Sequence, residues 1–337
     1  MTYKLKYRIV VIIKNVILRP RNINRIQTLF TMNRSNFLKN SALAAGSMLA
    51  GNSVLASTNA NQSIAPGKPF NMNYAPHDGM FKNSGGANFL DQIRFMYDQG
   101  FRSIEDNGMS SRSPAEQEKI GGLLTKLGMN MGVFVLDKGG NGANTLADGK
   151  QEHIDIFLKG CHQAVEVSKR CGGKLATVVP GDFARNLPLD IQNANVITAL
   201  RKGAEILEPH GIVMVLEPLS DTPDLYLRTS AQTYMICKGV NSPSCKILYD
   251  MYHMAKNEGN LINNIKLTWD EIAYFQIGDN PGRNEPTTGE VNYKNIFNFL
   301  HENGYKGVLG MEHGNSRPGK DGELRIIEAY RESDNFL

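Results

Sequence analysis

Apolar and polar positions alternate in a regular order along residues 69–330. Short apolar runs predict eight strands, at 70–75, 101–104, 131–136, 175–179, 212–216, 246–249, 272–277 and 307–311. Amphipathic or capped segments predict helices at 89–99, 114–127, 151–170, 191–207, 229–238, from 261, and at 293–303. Strands that alternate with helices form parallel sheets, so eight such units predict a single-domain α/β protein, a (β/α)8 TIM barrel.

A doubly wound open sheet is the alternative fold. Such sheets often carry a glycine-rich phosphate-binding turn after the first strand, and none follows residues 70–75. The glycine-rich stretch at 139–142 lacks phosphate-loop spacing, and we interpret it as a mobile loop over the barrel mouth.

The N-terminal segment differs sharply in charge, because residues 1–56 hold nine Lys and Arg and no Asp or Glu. A basic start, a small-residue apolar stretch and an A-x-A-like end at Ala56 predict a cleaved export leader. The leader resembles a twin-arginine signal, although the second Arg after Arg34 is missing. We predict a leader at 1–56, a linker at 57–68 and a barrel domain at 69–337. The expected location is a bacterial periplasm; an uncleaved membrane-surface anchor, or a cytoplasmic protein with an inactive leader, is the alternative.

Outside the leader the chain is mildly acidic, with 28 of the 37 basic residues against all 33 acidic ones. This balance argues against a nucleic-acid partner, and no apolar run is long enough for a stable transmembrane segment. The four cysteines have no metal-type spacing, and we expect buried free thiols. A small-molecule substrate is the expected partner, and a homo-oligomer is left open.

Four consecutive strands end in an oxygen-bearing side chain: Glu217, Asp250, Gln276 and Glu312. The carboxyl ends of barrel strands meet at one face, where barrel active sites lie. Three carboxylates that converge would repel one another, and a divalent cation removes that repulsion. An all-oxygen set suits Mn²⁺ or Mg²⁺ rather than Zn²⁺, so we predict one such ion as the cofactor.

The fold pattern and these strand ends resemble the sugar isomerase/epimerase barrels related to xylose isomerase. The segment QIGDNPGRNEPTTGEVNY at 276–293 resembles a motif of hydroxypyruvate isomerase and its relatives, with Gln where the ketose 3-epimerases use a His ligand. The resemblance covers roughly residues 69–330. It implies the four strand-end residues as metal ligands, and His253 and Arg283 as substrate contacts.

The implied reaction is isomerisation of a small α-hydroxycarbonyl compound through an enediolate, with hydroxypyruvate converted to tartronate semialdehyde as the leading case. Glu217 and Glu312 would be the catalytic acid and base, and Arg283 would bind a substrate carboxylate. For Arg283 the alternative is a salt bridge to Glu285 or Asp279 in the same loop. His77 and Glu105 end the first two strands, and both are candidates for further substrate contacts at the mouth. The alternative for each is a loop position or a position that supports the site without touching substrate.

Three other functions are alternatives. A sugar or ketose epimerase of the same fold fits an exported protein, because hydroxypyruvate is a cytoplasmic metabolite. Phosphodiester cleavage of the endonuclease-IV type requires a histidine-rich zinc cluster, and the chain has seven His in total. A non-catalytic carbohydrate-binding barrel is the alternative outside enzymes.

Overall fold

The structure, a computed structural model, describes residues 67–337. The predicted leader and almost all of the linker lie outside the described residues. Nine short strands are found: β1 Asn73–Ala75, β2 Ser103–Ile104, β3 Asn130–Met131, β4 Val133–Val135, β5 Leu175–Val178, β6 Val213–Leu216, β7 Cys245–Asp250, β8 Ile272–Gln276 and β9 Val308–Gly310. The α-helices are α1 Phe89–Asp98, α2 Pro114–Leu127, α3 Gln151–Cys171, α4 Leu189–Leu207, α5 Ser230–Val240, α6 Met251–Asn257, α7 Leu261–Thr268, α8 Tyr293–Glu302 and α9 Gly319–Asp334.

The strands close into a parallel barrel. Seven of them form one sheet in the order β1-β9-β8-β7-β6-β5-β4, and β2 pairs with β3. Gly132 separates β3 from β4, and these two short strands together form one of the eight strands of the barrel. The backbone N–H of Gly132 donates to the Ile104 carbonyl at 2.7 Å. A parallel bridge between His77 and Glu105 joins β1 to β2. The predicted eight-stranded TIM barrel is therefore confirmed, and an open doubly wound sheet is excluded.

Local sequence signals fixed several helices as predicted. At α2 the Ser113 side chain accepts the backbone N–H of Glu116, whose carboxylate accepts the Ser113 N–H in return, and Pro114 occupies the first turn. The helix ends at Gly128, whose φ of 64° favours glycine. Two helices were missed, α6 directly after β7 and α9 at the C-terminus.

Strand alternation divides the apolar residues into two layers. Phe134, Leu216 and Phe275 belong to the large core between the barrel and its helices. Their neighbours on the opposite strand face form a separate buried cluster inside the barrel, made of Val133, Val215, Leu248 and Tyr274. These four residues identify the interior face of β4, β6, β7 and β8, and the side chains of the candidate site continue that face.

All four cysteines are buried free thiols, as predicted. Among the described residues no helix has the length and hydrophobicity needed to cross a membrane. The glycine-rich stretch is fastened to the segment after β5, since the Asp182 N–H donates to the Gly142 carbonyl at 3.0 Å.

Candidate active site

Three of the four predicted strand-end side chains, Glu217, Asp250 and Glu312, meet at the carboxyl end of the barrel, and Gln276 is the register partner of Asp250 on the next strand. Glu217, Asp250 and Gln276 each lie two positions beyond an interior residue of their own strand, and Glu312 lies two beyond Gly310. A period of two keeps them on the interior face. Ligand atoms of Glu217, Asp250, His253 and Glu312 all lie within 4.8 Å of one another. The cluster could therefore hold a metal ion.

Asp250 is fixed by the helix that follows it. It is fully buried and is the N-cap of α6, where Oδ1 accepts the backbone N–H groups of Tyr252 at 2.7 Å and His253 at 3.3 Å. The start of a helix favours negative charge, which offsets part of the cost of burying this carboxylate. Oδ2 is left to face the cluster.

Arg283 reaches the centre of the cluster. Its Nη2 donates to Asp250 Oδ2 at 3.0 Å and to Glu312 Oε2 at 2.6 Å, and its Nε donates to the Glu312 carbonyl at 3.2 Å. The guanidinium lies over the Tyr252 ring, 4.9 Å from its centroid. Nη1 has no hydrogen-bond partner among residues 67–337. Among residues 67–337 Arg283 forms no ion pair with Asp279 or Glu285, and the acids it pairs with are Asp250 and Glu312.

A tightly bonded loop holds Arg283 in place. Its φ is 50°, a left-handed conformation that is uncommon outside glycine. The Arg283 N–H donates to the Asp279 carbonyl at 2.7 Å, and the Asp279 carboxylate accepts the backbone N–H groups of Thr288, Gly289 and Val291. These bonds keep the loop in a conformation that costs free energy locally.

Burial shifts the charge states of the two glutamates. It raises the pKa of Glu217 and that of Glu312 well above the ordinary carboxyl value, and the nearby Asp250 adds to the effect. Glu217 is 6% exposed. Glu312 accepts hydrogen bonds from Arg283 at Oε2 and from Asn107 Nδ2 at Oε1, the latter at 2.8 Å. A cation or an arginine beside them has the opposite effect and favours the ionised forms.

His253 is fully buried with one ring nitrogen occupied. Its Nδ1 accepts the Ser220 backbone N–H at 3.2 Å and lies 2.8 Å from the Ser220 hydroxyl. Burial lowers its pKa, so the neutral ring is favoured. With Nδ1 accepting, the proton of the neutral ring is on Nε2, which lies 3.5 Å from Asp250 Oδ2 and 3.8 Å from Glu217 Oε1.

Unpartnered polar atoms gather at this site. Six buried side-chain polar atoms among residues 67–337 have no hydrogen-bond partner, and four of them are Asn107 Oδ1, Glu217 Oε1, His253 Nε2 and Gln276 Oε1. An unpaired buried polar atom costs about 1–3 kcal/mol, which folded proteins rarely tolerate without a partner. The unpartnered oxygens of Glu217 and Gln276 fit a divalent cation. The unpartnered Asn107 Oδ1 and His253 Nε2 fit a polar ligand.

Glu105 and His77, the two residues predicted to contact substrate at the barrel mouth, do not occupy the positions predicted for them. Glu105 is fully buried below the cluster, where Oε1 accepts from Gln276 Nε2 at 2.9 Å and Oε2 accepts from the Tyr274 hydroxyl at 2.8 Å. Burial raises its pKa to about 7. Both oxygens are engaged within the protein, so the prediction that Glu105 contacts substrate at the mouth is corrected.

His77 is half-buried with both ring nitrogens against backbone carbonyls, Asp78 O at 2.8 Å and His313 O at 3.1 Å. It contacts the backbone around the site rather than pointing a free nitrogen into it. His313 points away from the cluster, as alternation predicts, and its Nε2 lies 2.9 Å from the Tyr330 hydroxyl on α9.

Sequence reasoning missed Asn107, Ser220 and Tyr252. Ser220 lies three residues after Glu217, and Tyr252 precedes His253, so proximity to a predicted site residue was the available signal. Asn107 lies in the loop after β2, a strand of two residues, and no periodic pattern in the sequence predicts that its side chain reaches the site.

The fold and the site agree with a known family. The xylose isomerase-like TIM barrel family matches residues 93–333. This match spans most of the chain, so the protein belongs to that family.

Two relatives of known name indicate the class of enzyme within this family. The chain is 31% identical to hydroxypyruvate isomerase of Escherichia coli K12 over 185 residues, 54% of this chain and 70% of that protein. It is 26% identical to 2-oxo-tetronate isomerase of Cupriavidus necator over 246 residues, 72% of this chain and 93% of that protein. These relatives are named isomerases, and the chain is an isomerase or epimerase of this fold.

Solved structures show the same architecture. An AP endonuclease family 2 protein from Brucella melitensis matches with a TM-score of 0.65 and 22% identity, over 77% of this chain and 99% of that one. The apo 3-keto-D-glucoside 4-epimerase of E. coli matches with a TM-score of 0.64 and 20% identity, over 78% of this chain and 98% of that one. At these identities the likeness concerns the fold.

Proposed function

We propose that this protein is a divalent-metal-dependent isomerase of small 3-hydroxy-2-oxo acids, with hydroxypyruvate to tartronate semialdehyde as the leading reaction. The observation that carries the proposal is Arg283, whose Nη1 has no hydrogen-bond partner among residues 67–337 while its Nη2 contacts Asp250 and Glu312. Both hydroxypyruvate and 2-oxo-tetronate, the compounds in the relatives' names, pair a carboxylate with a 2-oxo and a 3-hydroxyl group.

The residues that would hold the cation are Glu217, Asp250, Gln276 and Glu312. All four donors are oxygens, which favours Mn²⁺ or Mg²⁺ over Zn²⁺, and the free oxygens of Glu217 and Gln276 would gain a partner. When bound, the ion would supply positive charge to the two oxygens of an enediolate.

Glu217 and Glu312 would exchange the proton between the two carbons. One carboxylate removes a proton from C3 of hydroxypyruvate, and the electron pair of that C–H bond forms the C2–C3 double bond of the enediolate. The other, protonated, delivers a proton to C2, while the proton on the C3 oxygen moves to the C2 oxygen. Burial raises both pKa values and a bound cation would lower them, and these opposed effects suit groups that must take up and release a proton in turn.

Arg283 and His253 would orient the substrate. Arg283 offers the N–H groups of Nη1 to a substrate carboxylate, because its Nη2 and Nε already donate to protein oxygens. The Tyr252 ring supports the flat face of its guanidinium. His253 would donate its Nε2 proton to a substrate oxygen, because Ser220 occupies Nδ1. Asn107 Oδ1 would accept a substrate hydroxyl.

A sugar epimerase is the second candidate function. The fold shared with a 3-keto-D-glucoside 4-epimerase favours it, and so does the predicted export leader, since an exported enzyme would meet sugars more readily than hydroxypyruvate. Export itself stays a proposal, and N-terminal sequencing of the mature protein from fractionated cells would test cleavage near Ala56.

One screen separates these functions. Purified protein with added Mn²⁺ is incubated with hydroxypyruvate, a four-carbon 2-oxo acid and a panel of free ketoses, and products are identified by NMR. We expect conversion of the acids. Conversion of ketoses alone would favour the epimerase, and binding of sugars with no conversion would favour a non-catalytic barrel.

A further inference from the structure

Glu105 and Tyr274 form a buried pair beneath the cluster. Glu105 directly follows β2 and Tyr274 lies inside β8, and each is fully buried. The Tyr274 hydroxyl donates to Glu105 Oε2 at 2.8 Å. Gln276, on the same face of β8, donates its Nε2 to Glu105 Oε1 at 2.9 Å. One carboxylate therefore receives two donors from a single strand.

The barrel makes room for this pair by omitting two side chains. A Cβ on Gly310 would overlap Glu105 Oε2 and lie 2.8 Å from the Tyr274 hydroxyl, and a Cβ on Gly132 would lie 2.5 Å from that hydroxyl. Glycine inside a strand weakens the strand, so its use at both positions marks a close approach by another group. Gly132, beside β2, and Gly310, on β9 beside β8, thus leave the space that Glu105 and Tyr274 occupy.

This pair determines which way the side-chain amide of Gln276 points. An amide has a donor end and an acceptor end of similar shape, and its hydrogen-bond partners decide which end faces which way. Glu105 accepts from Nε2, which turns Oε1 of Gln276 the other way. That oxygen is buried and has no partner among residues 67–337. A cation binds an amide oxygen and not the amide nitrogen.

We propose that Glu105 is a positioning residue that, with Tyr274, holds Gln276 so that its carbonyl oxygen faces the cation site. This inference rests on the proposed function, in which Gln276 is the neutral ligand. Glu105 itself touches neither the substrate nor the ion.

The test uses an isosteric change whose effect depends on Tyr274. In Glu105→Gln, the new amide has one oxygen to share between two donors. Its oxygen faces Tyr274, because otherwise the buried hydroxyl proton loses its acceptor. Its nitrogen then faces Gln276, which turns over and presents NH₂ to the site. In Glu105→Gln combined with Tyr274→Phe, the new amide is free to offer its oxygen to Gln276 again.

Mn²⁺ affinity is the readout, measured by the electron paramagnetic resonance signal of free Mn²⁺ and independent of turnover. We expect Glu105→Gln to weaken Mn²⁺ binding by about 10- to 100-fold, the usual effect of losing a group that orients a ligand. The double variant should recover to within about threefold of the wild type, and Tyr274→Phe alone should bind nearly normally. Glu323→Gln, another fully buried glutamate, on α9, is the matched control and should leave Mn²⁺ affinity unchanged.

The outcomes are separable. Equal Mn²⁺ affinity in Glu105→Gln and wild type would overturn the positioning role, and so would a double variant weaker than either single one, which indicates lost packing. Wild-type protein that binds Mn²⁺ without isomerising any substrate would refute the proposed function and leave the positioning test intact. A wild type with no Mn²⁺ affinity would overturn both.

Discussion

Replacing Arg283 with lysine tests how the protein recognises its substrate. The variant keeps a positive charge but loses the planar fork. In the structure Nη2 and Nε serve Asp250 and Glu312, and Nη1 remains for a ligand. A lysine ammonium is a single point that cannot bridge both cluster carboxylates and also bind a substrate carboxylate in a fixed orientation.

The magnitude follows from the bonds at stake. A hydrogen bond to a charged group is worth roughly 1.5–3 kcal/mol, and about 1.4 kcal/mol is tenfold in rate. Loss of one such bond to the substrate predicts that kcat/KM for hydroxypyruvate falls about 10- to 150-fold in Arg283→Lys. A neutral ketose, which lacks the carboxylate, should change by less than about threefold.

The assay compares both substrates in both proteins, with Mn²⁺ affinity measured alongside. Arg94→Lys, which alters an exposed ion pair with Asp91 on α1, is the charge-conserving control. If Arg283→Lys lost activity equally on acids and ketoses with unchanged Mn²⁺ affinity, carboxylate recognition by Arg283 would be refuted.

Three further predictions concern chemistry and stability. Glu312→Gln should abolish exchange of the substrate C–H proton while far-ultraviolet circular dichroism is unchanged, and an active variant would remove Glu312 from the proton transfer. A chelator should lower the melting temperature, because an ion at 100 times its Kd stabilises the fold by about 2.7 kcal/mol, and Glu217→Gln should show a much smaller shift. Burial lowers the pKa of His313 from 6.5 to about 3, so the unfolded chain binds a proton that the folded chain does not within this window, and stability falls as the pH drops. Between pH 6.5 and 4.5 the wild type should lose roughly 2.5 kcal/mol more than His313→Gln, measured by urea unfolding; equal slopes would place the pH dependence elsewhere.

Much of the site follows from the period of the strands. Once eight strands are assigned, alternation places Gln276 on the same face as Tyr274 and Glu217 on the same face as Val215. Parallel strands in a closed barrel then bring these ends together. This part of the geometry depends on local pattern and on one topological rule, both of which a sequence carries.

Glu105 could not be placed by that reasoning. A residue at a strand end was expected at the mouth, but β2 is two residues long and Glu105 turns into space left by Gly132 and Gly310. That space depends on side chains missing from two other strands, and no local pattern links them.

The helix α6 was missed for a different reason. Asp250 was interpreted only as a strand end, although Asp before a short segment with apolar residues three apart, Met251 and Met254, is also a helix start. One residue ends a strand, caps a helix and faces the cluster, and those roles are compatible because its two carboxylate oxygens point in different directions.

The most direct test of the central claim is proton exchange in deuterated water. Hydroxypyruvate is incubated with the protein and Mn²⁺ in D₂O, and the substrate C3 protons and the product C2 position are followed by ¹H NMR. An enediolate route predicts deuterium at C2 of tartronate semialdehyde and loss of C3 proton signal from recovered hydroxypyruvate, both abolished by a chelator. Protein fully loaded with Mn²⁺ that leaves every C–H position of hydroxypyruvate and of related 3-hydroxy-2-oxo acids unexchanged would contradict the proposed function.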